Sequence, residues 1–162
     1  MIQAPQPNGV RYDVRLVAGA ARGERVSRAL QSAAAAGLLA ELRQSTGVSG
    51  GPSSKSHSRD LVAVALAETG RVGIDVEYRA AGRPIEKIAH HLMDAAPSDA
   101  LAAYRVFTFW EAYFKAFGHF PEKALLRAVA GSVAAAQELD GLCVLHHTIE
   151  GDFSLTLVWA QL

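Results

Sequence analysis

The chain has a single cysteine in 162 residues, Cys143, set in the apolar segment "GLCVLHH". An intrachain disulfide and a Cys-type metal site are both excluded, and the thiol reads as a reduced core residue. Net charge is lacking too: 16 Lys and Arg balance 16 Asp and Glu, for a formal charge of zero. Without an excess of positive charge, a general nucleic-acid coat is not expected. No apolar run approaches the ~20 residues that span a bilayer, and the start "MIQAPQPNGVRYD" lacks the basic region and apolar core of a signal peptide. These absences predict a cytoplasmic protein with no membrane or nucleic-acid partner. Low-complexity linkers and sequence repeats are missing as well. So is the G-x-x-x-x-G-K-[ST] loop, which leaves nucleoside-triphosphate hydrolysis without support.

What is present is an ordinary globular composition, 50% hydrophobic and 20% charged. The length suits one domain over 1–162, or two small halves, about 1–80 and 81–162, packed as one unit. "VRYDVRLVAG" alternates as a strand, and "GERVSRALQSAAAAGLLAELRQS" reads as an Ala- and Leu-rich helix. "TGVSGGPSSKSHS" is dense in Gly, Ser and Pro and reads as a loop. It leads into "RDLVAVALA" and then, across the turn "ETGR", into "RVGIDVEY". These two strands predict a β-hairpin that carries the loop bearing His57 toward the end of the strand bearing Glu77. Pro84 suits the start of a helix over "IEKIAHHLM", and Ser98 the N-cap of a helix over "ALAAYRVFTFWEAYFKAFG". The tail predicts a helix from Glu122 to about Leu139, then a hairpin of "LCVLHHTI" and "FSLTLVWAQL".

The chemistry concentrates in three places. In "RVGIDVEY" the strand period puts Val72, Ile74 and Val76 on one face and Gly73, Asp75 and Glu77 on the other. Two like charges ~7 Å apart on an apolar strand repel, and a bound cation would relieve them. The plain alternative is a half-exposed strand whose polar face meets water. On the following long helix Phe107, Glu111 and Lys115 share a face at i, i+4, i+8. By itself the acid–base pair reads as a surface ion pair of about 0.3–0.5 kcal/mol. His57 by itself reads as a loop histidine. The doublets His90/His91 and His146/His147 point in different directions and read as structural. Arg22, Arg25 and Arg28 read as a solvated helix face, with a reach toward phosphates as the alternative.

Taken in order, "SHS" (Ser56 to Ser58), "VGIDVE" (Val72 to Glu77) and "FWEAYFKAFG" (Phe109 to Gly118) resemble the 4′-phosphopantetheinyl transferases. The likeness covers about Lys55 to Gly118 and is closest to the large, two-halved type, shortened. It implies an α+β fold of two similar α/β halves with coenzyme A in the cleft between them. It also implies Mg²⁺-dependent transfer of phosphopantetheine from coenzyme A to a serine of an apo acyl or peptidyl carrier protein, releasing 3′,5′-adenosine bisphosphate. Asp75, Glu77 and Glu111 would hold the metal, an all-oxygen set that suits Mg²⁺ rather than Zn²⁺. Glu111 would also serve as base, with Lys115 and Asp75 completing the catalytic group. His57, Lys55, Ser56, Lys115 and Trp110 would line the coenzyme A site.

The chain departs from the family pattern at two helix positions. Phe107 stands where the motif has Trp, and Trp110 where it has a phosphate-binding Lys. The Gly-Lys-Pro stretch and the Asn ahead of "SHS" are absent, with Lys55 a possible substitute for one charge. These departures leave a second expectation open, a non-catalytic homologue that binds coenzyme A or a carrier protein.

Overall fold

The structure, a computed structural model, describes residues 9–161. Strand β1 (Val10–Leu16) is followed by helix α1 (Arg28–Thr46) and by strands β2 (Ser53–Ser58) and β3 (Leu61–Ala67). These strands form an antiparallel sheet in the order β1-β3-β2. Strand β4 (Arg71–Tyr78) opens a second sheet. Helices α2 (Ile85–Met93), α3 (Ala100–Phe117) and α4 (Lys123–Gly131) intervene before β5 (Ala136–Leu139), β6 (Leu142–Ile149) and β7 (Phe153–Ala160). The second sheet is antiparallel, in the order β4-β7-β6-β5. The class is α+β, with two antiparallel sheets and four helices among the described residues.

Alternation along the strands sorts the side chains into three apolar layers. Val62, Val64 and Leu66 of β3 meet Ala35, Leu38 and Leu39 of α1. The opposite faces of β1 and β3, with Tyr12, Val14, Ala63 and Ala65, meet Val72, Ile74 and Val76 of β4 and Leu155 and Leu157 of β7. The far side of the second sheet, with Val144 and Val158, is covered by α2, α3 and α4. Phe109 of α3 and Phe153 of β7 are fully buried. Each such side chain contributes about 1.5–3 kcal/mol.

The predicted hairpin between β3 and β4 is not formed. Strand β3 is already paired on both edges, by β1 and β2, so β4 has no edge to join and pairs with β7 instead. Gly70, at φ 81°, makes the change of sheet: a Cβ there would lie 2.1 Å from the Ala160 carbonyl oxygen. The predicted loop "TGVSGGPSSKSHS" ends in a strand, β2, over Ser53–Ser58. The predicted helix from Glu122 to Leu139 stops at Gly131. Asp140 and Gly141, at φ 52° and 76°, close a tight hairpin that draws Ala136–Leu139 into pairing with β6. An Ala-rich helical propensity yields there to tertiary pairing. Helix α1 begins later than predicted, with the Ser27 hydroxyl accepting from Leu30 N–H at 3.3 Å. Asp99, not Ser98, caps α3. Cys143 is half-buried rather than a core residue. No helix among the described residues is long and apolar enough to cross a membrane.

Candidate functional site

Strand β4 lies at the edge of the second sheet, and an edge strand presents unpaired N–H groups. Here they are taken up by serine hydroxyls. Ile74, Val76 and Tyr78 N–H donate to the Oγ atoms of Ser54, Ser56 and Ser58 at 3.0, 3.2 and 3.0 Å. Every second residue of β2 therefore pairs with every second residue of β4, in parallel, and side chains close a seam between the two sheets. Two of these hydroxyls pass a hydrogen bond on. Ser56 Oγ donates to Asp75 Oδ1 at 2.8 Å, and Ser58 Oγ to Glu77 Oε2 at 3.2 Å.

Helix α3 comes down onto this seam because Gly73 lets it. A Cβ at Gly73 would lie 1.9 Å from Ala112 O and 2.9 Å from Ala116 N. That contact delivers Lys115, whose Nζ donates to Asp75 Oδ1 at 2.8 Å and to the Ile74 carbonyl at 3.1 Å. Lys115 thus pairs across the seam with Asp75 instead of along the helix with Glu111. Arg83 donates to the same Glu77 oxygen as Ser58, Oε2, at 2.8 Å, and the Arg83 guanidinium lies 4.7 Å over the Phe107 ring.

Asp75 is the electrostatic centre. Its side chain is buried, one oxygen carries both Ser56 and Lys115, and Oδ2 is enclosed without a hydrogen-bond partner. Burial pushes its carboxyl up to about 6, against the pull of Lys115 and Ser56 and with a further push from the Glu77 charge. His57, on the opposite face of β2 from the serines, is shifted the other way. Burial lowers its pKa first, then the nearby Arg28 and Lys115 charges. The Arg28 and Lys115 charges thus lie near His57 and, with burial, disfavour its charged form, while the exposed Lys55 sits two residues from His57 on the same strand face.

The structure brings Asp75, Glu77, Lys115, His57 and Ser56 together. Ser56 is 6% exposed and committed to Asp75 and Val76, so it orients a carboxylate rather than facing a ligand. Glu111 stands one turn before Lys115, half-buried, with no hydrogen bond or ion pair among the described residues. Trp110 turns away from Asp75 and stacks on Phe120 at 4.0 Å, within 3° of parallel, and against Phe107 at 6.3 Å. Of the three N-terminal arginines, Arg22 is tied to Glu150 and Asp152, and Arg28 joins the site. Ser54 and Arg83 escape sequence reading, and Ser58 is read only as part of the "SHS" segment, without a role. The Ser-x-Ser-x-Ser alternation was the available signal for the two serines, while Arg83, in a connection, left none. A cavity of about 650 Å³ lies elsewhere, against Tyr113, Phe117 and Leu125.

Among the described residues no three Asp, Glu, His or Cys side chains gather as a ready metal centre, so Asp75, Glu77 and Glu111 are not preassembled as a trio. The donors still suit Mg²⁺. The enclosed, unpartnered Asp75 Oδ2 beside Glu77 is an all-oxygen foothold, and Mg²⁺ is commonly held by one or two carboxylates plus substrate phosphates. No known protein-family model matches the chain, and no curated protein matches it.

Proposed function

We propose that the chain is a phosphopantetheinyl transferase of the holo-[acyl-carrier-protein] synthase type. It would move phosphopantetheine from coenzyme A to a serine of an apo acyl or peptidyl carrier protein in the cytoplasm. The observation that carries this reading is the Asp75 carboxylate: buried, fixed at one oxygen by Ser56 and the Lys115 cation, and unpartnered at the other. On this reading the two sheets with their helices correspond to related α/β halves, and coenzyme A lies along the seam between α1 and α3.

Asp75 Oδ2 and Glu77 would hold Mg²⁺, which when bound supplies charge neutralisation at the diphosphate. Lys115, His57, Arg28 and Lys55 would grip phosphate oxygens and set the diphosphate in line with the incoming hydroxyl. Glu111, with no partner among the described residues, is available to take the hydroxyl proton directly or through a water. The serine oxygen bonds to the phosphorus bearing pantetheine as the bond to the bridging oxygen breaks, and 3′,5′-adenosine bisphosphate leaves. Ser56 and Ser58 act one step back, by holding Asp75 and Glu77 in place.

Trp110, stacked on Phe120 where the family carries a lysine, favours a second reading, a non-catalytic module that binds coenzyme A or a carrier protein. Incubation with coenzyme A, Mg²⁺ and a panel of apo carrier proteins, read by mass, separates them. Transfer is a mass gain of one phosphopantetheine. Coenzyme A binding without transfer selects the second reading, and neither binding nor transfer rejects both.

A further inference from the structure

On the helix side of the second sheet, one strand beyond Asp75, a buried polar chain ends at a histidine. Thr108 Oγ1 donates to the Tyr104 carbonyl at 2.8 Å. That commits its only proton, so Thr156 must donate across the 2.6 Å contact to Thr108 Oγ1. The Thr156 proton is then also committed, and His146 Nδ1 must be the donor in its 2.8 Å contact with Thr156 Oγ1. The Tyr104 carbonyl thereby fixes the imidazole as the Nδ1–H tautomer, and Nε2 keeps a bare lone pair. His146 is 5% exposed and Nε2 is enclosed without a partner. Burial, then the Arg105 charge, pushes its pKa down to about 3, so it stays neutral in ordinary buffers.

His146 is not alone there. Ser154, 4% exposed, also has an enclosed hydroxyl without a partner. Both residues line one cavity of about 330 Å³ together with Arg105, Thr108 and Thr148, and no Asp or Glu among the described residues lines it. Val133 and Ala135 form its other side, and the Ala135 carbonyl accepts from His146 N–H at 2.7 Å. Arg105 reaches the same segment, donating to the Ser132 carbonyl at 2.5 Å. With His147, Leu101 and Leu155 completing the wall, the cavity holds one fixed cation, hydroxyl donors, a bare acceptor at His146 and a second imidazole.

We propose that this cavity is a site for a small oxyanion that retains a proton, with hydrogen phosphate as its simplest occupant. Arg105 meets the negative charge, and Ser154 donates to an unprotonated oxygen. The P–OH group donates to His146 Nε2, satisfying the acceptor that the fold leaves bare. Val133, 91% exposed, and its neighbours give way to admit the anion to the enclosed atoms. Sulfate has the same size and shape but no proton at neutral pH. It would bring an acceptor against an acceptor, and the site would reject it. The site shares no residue with the proposed transferase centre and requires neither coenzyme A nor a metal.

The test is a titration of the whole chain with inorganic phosphate and, separately, with sulfate at equal ionic strength, followed by amide NMR without coenzyme A or Mg²⁺. Phosphate is expected to move the Ala135, His146 and Ser154 signals and to bind at least about tenfold more tightly than sulfate. Ser154→Ala removes a hydroxyl that has no partner among the described residues, so folding is preserved, and phosphate affinity should fall about tenfold. Equal affinity for the two anions, no phosphate binding, shifts confined to other regions, or full affinity in Ser154→Ala would each overturn the proposal. Imidazole ¹⁵N shifts provide a check on the wild type alone: an Nε2–H tautomer at His146 would remove its basis.

Discussion

Ser56 and Asp75 are joined by a 2.8 Å hydrogen bond in which the serine donates, and the same serine oxygen accepts from Val76 N–H at 3.2 Å. One hydroxyl thus serves the edge of the second sheet and the central carboxylate of the site. In Ser56→Ala a buried backbone N–H and a buried carboxylate oxygen each lose a partner. The expected loss of stability is about 1–3 kcal/mol. Ser54→Ala, which strands only Ile74 N–H, should cost less, and Ser58→Ala, half-exposed, least. Urea denaturation of the three variants checks the order; losses all within about 0.5 kcal/mol, the usual range for surface changes, would mean the seam is not held by these hydroxyls.

Asp75 makes stability depend on pH with a defined sign. Its carboxyl is raised from 3.8 to about 6 in the folded chain, so the fold holds this proton more tightly than the unfolded chain does. The stabilisation is full below about pH 4 and is lost as pH rises through about 6, a change on the order of 3 kcal/mol. In Asp75→Asn the side chain cannot ionise. The difference between wild type and variant should therefore run in the variant's favour above pH 6, while transfer is abolished. Added Mg²⁺ should raise the melting temperature of the wild type above pH 6 and leave the variant unchanged. Thermal melts across pH 4 to 8 decide the matter: parallel curves for the two proteins would refute the assignment.

Gly73 is where helix α3 and strand β4 touch. An added methyl would meet backbone atoms, Ala112 O at 1.9 Å and Ala116 N at 2.9 Å, and no side-chain rotation relieves that. Gly73→Ala should cost about 3 kcal/mol or more, because the helix must lift from the sheet. Lifting it also withdraws Lys115 from Asp75, so coenzyme A binding should weaken in the fraction that remains folded. A variant with wild-type stability would show that α3 can shift at little cost.

Strand β4 and its paired acids were legible because strand alternation alone puts Asp75 and Glu77 on one face. The tail hairpin was legible because "LCVLHHTI" and "FSLTLVWAQL" flank a Gly-containing turn. The partnership of β4 with β7 was not, since β3 is nearer in sequence and nothing local says that both of its edges are taken. Strand β2 was hidden by its composition. Serine is common in loops, and here it is selected for a hydroxyl that replaces a backbone partner, a requirement visible only once β4 lies alongside. Lys115 was correctly placed on the face of α3 that carries Glu111. Its choice of Asp75 over Glu111 depends on Gly73, whose role is the close approach of another element.

Trp110 tests the departure from the transferase motif. Its indole is half-buried and stacks on Phe120 at 4.0 Å, with Phe107 and Phe114 completing an aromatic surface; Phe114 and Phe120 are 41% and 48% exposed. Replacing it with lysine removes an aromatic stack worth about 0.5–1.5 kcal/mol beyond its area. With the lost burial, the total is about 2 kcal/mol, or a fall of roughly 4–8 °C in melting temperature. The new ammonium would stand next to Glu111 on the helix, where the resemblance places a phosphate-binding cation, so coenzyme A affinity should be kept or increased at low salt. Trp110→Leu separates the two effects, because it loses the stack and gains no charge. If Trp110→Lys folds and binds coenzyme A at least as well as wild type while Trp110→Leu does not improve, the indole fills a position the chemistry does not require. If both variants fold but neither binds coenzyme A, the aromatic surface itself contacts the ligand, and the lysine-equivalent role assigned to position 110 is wrong.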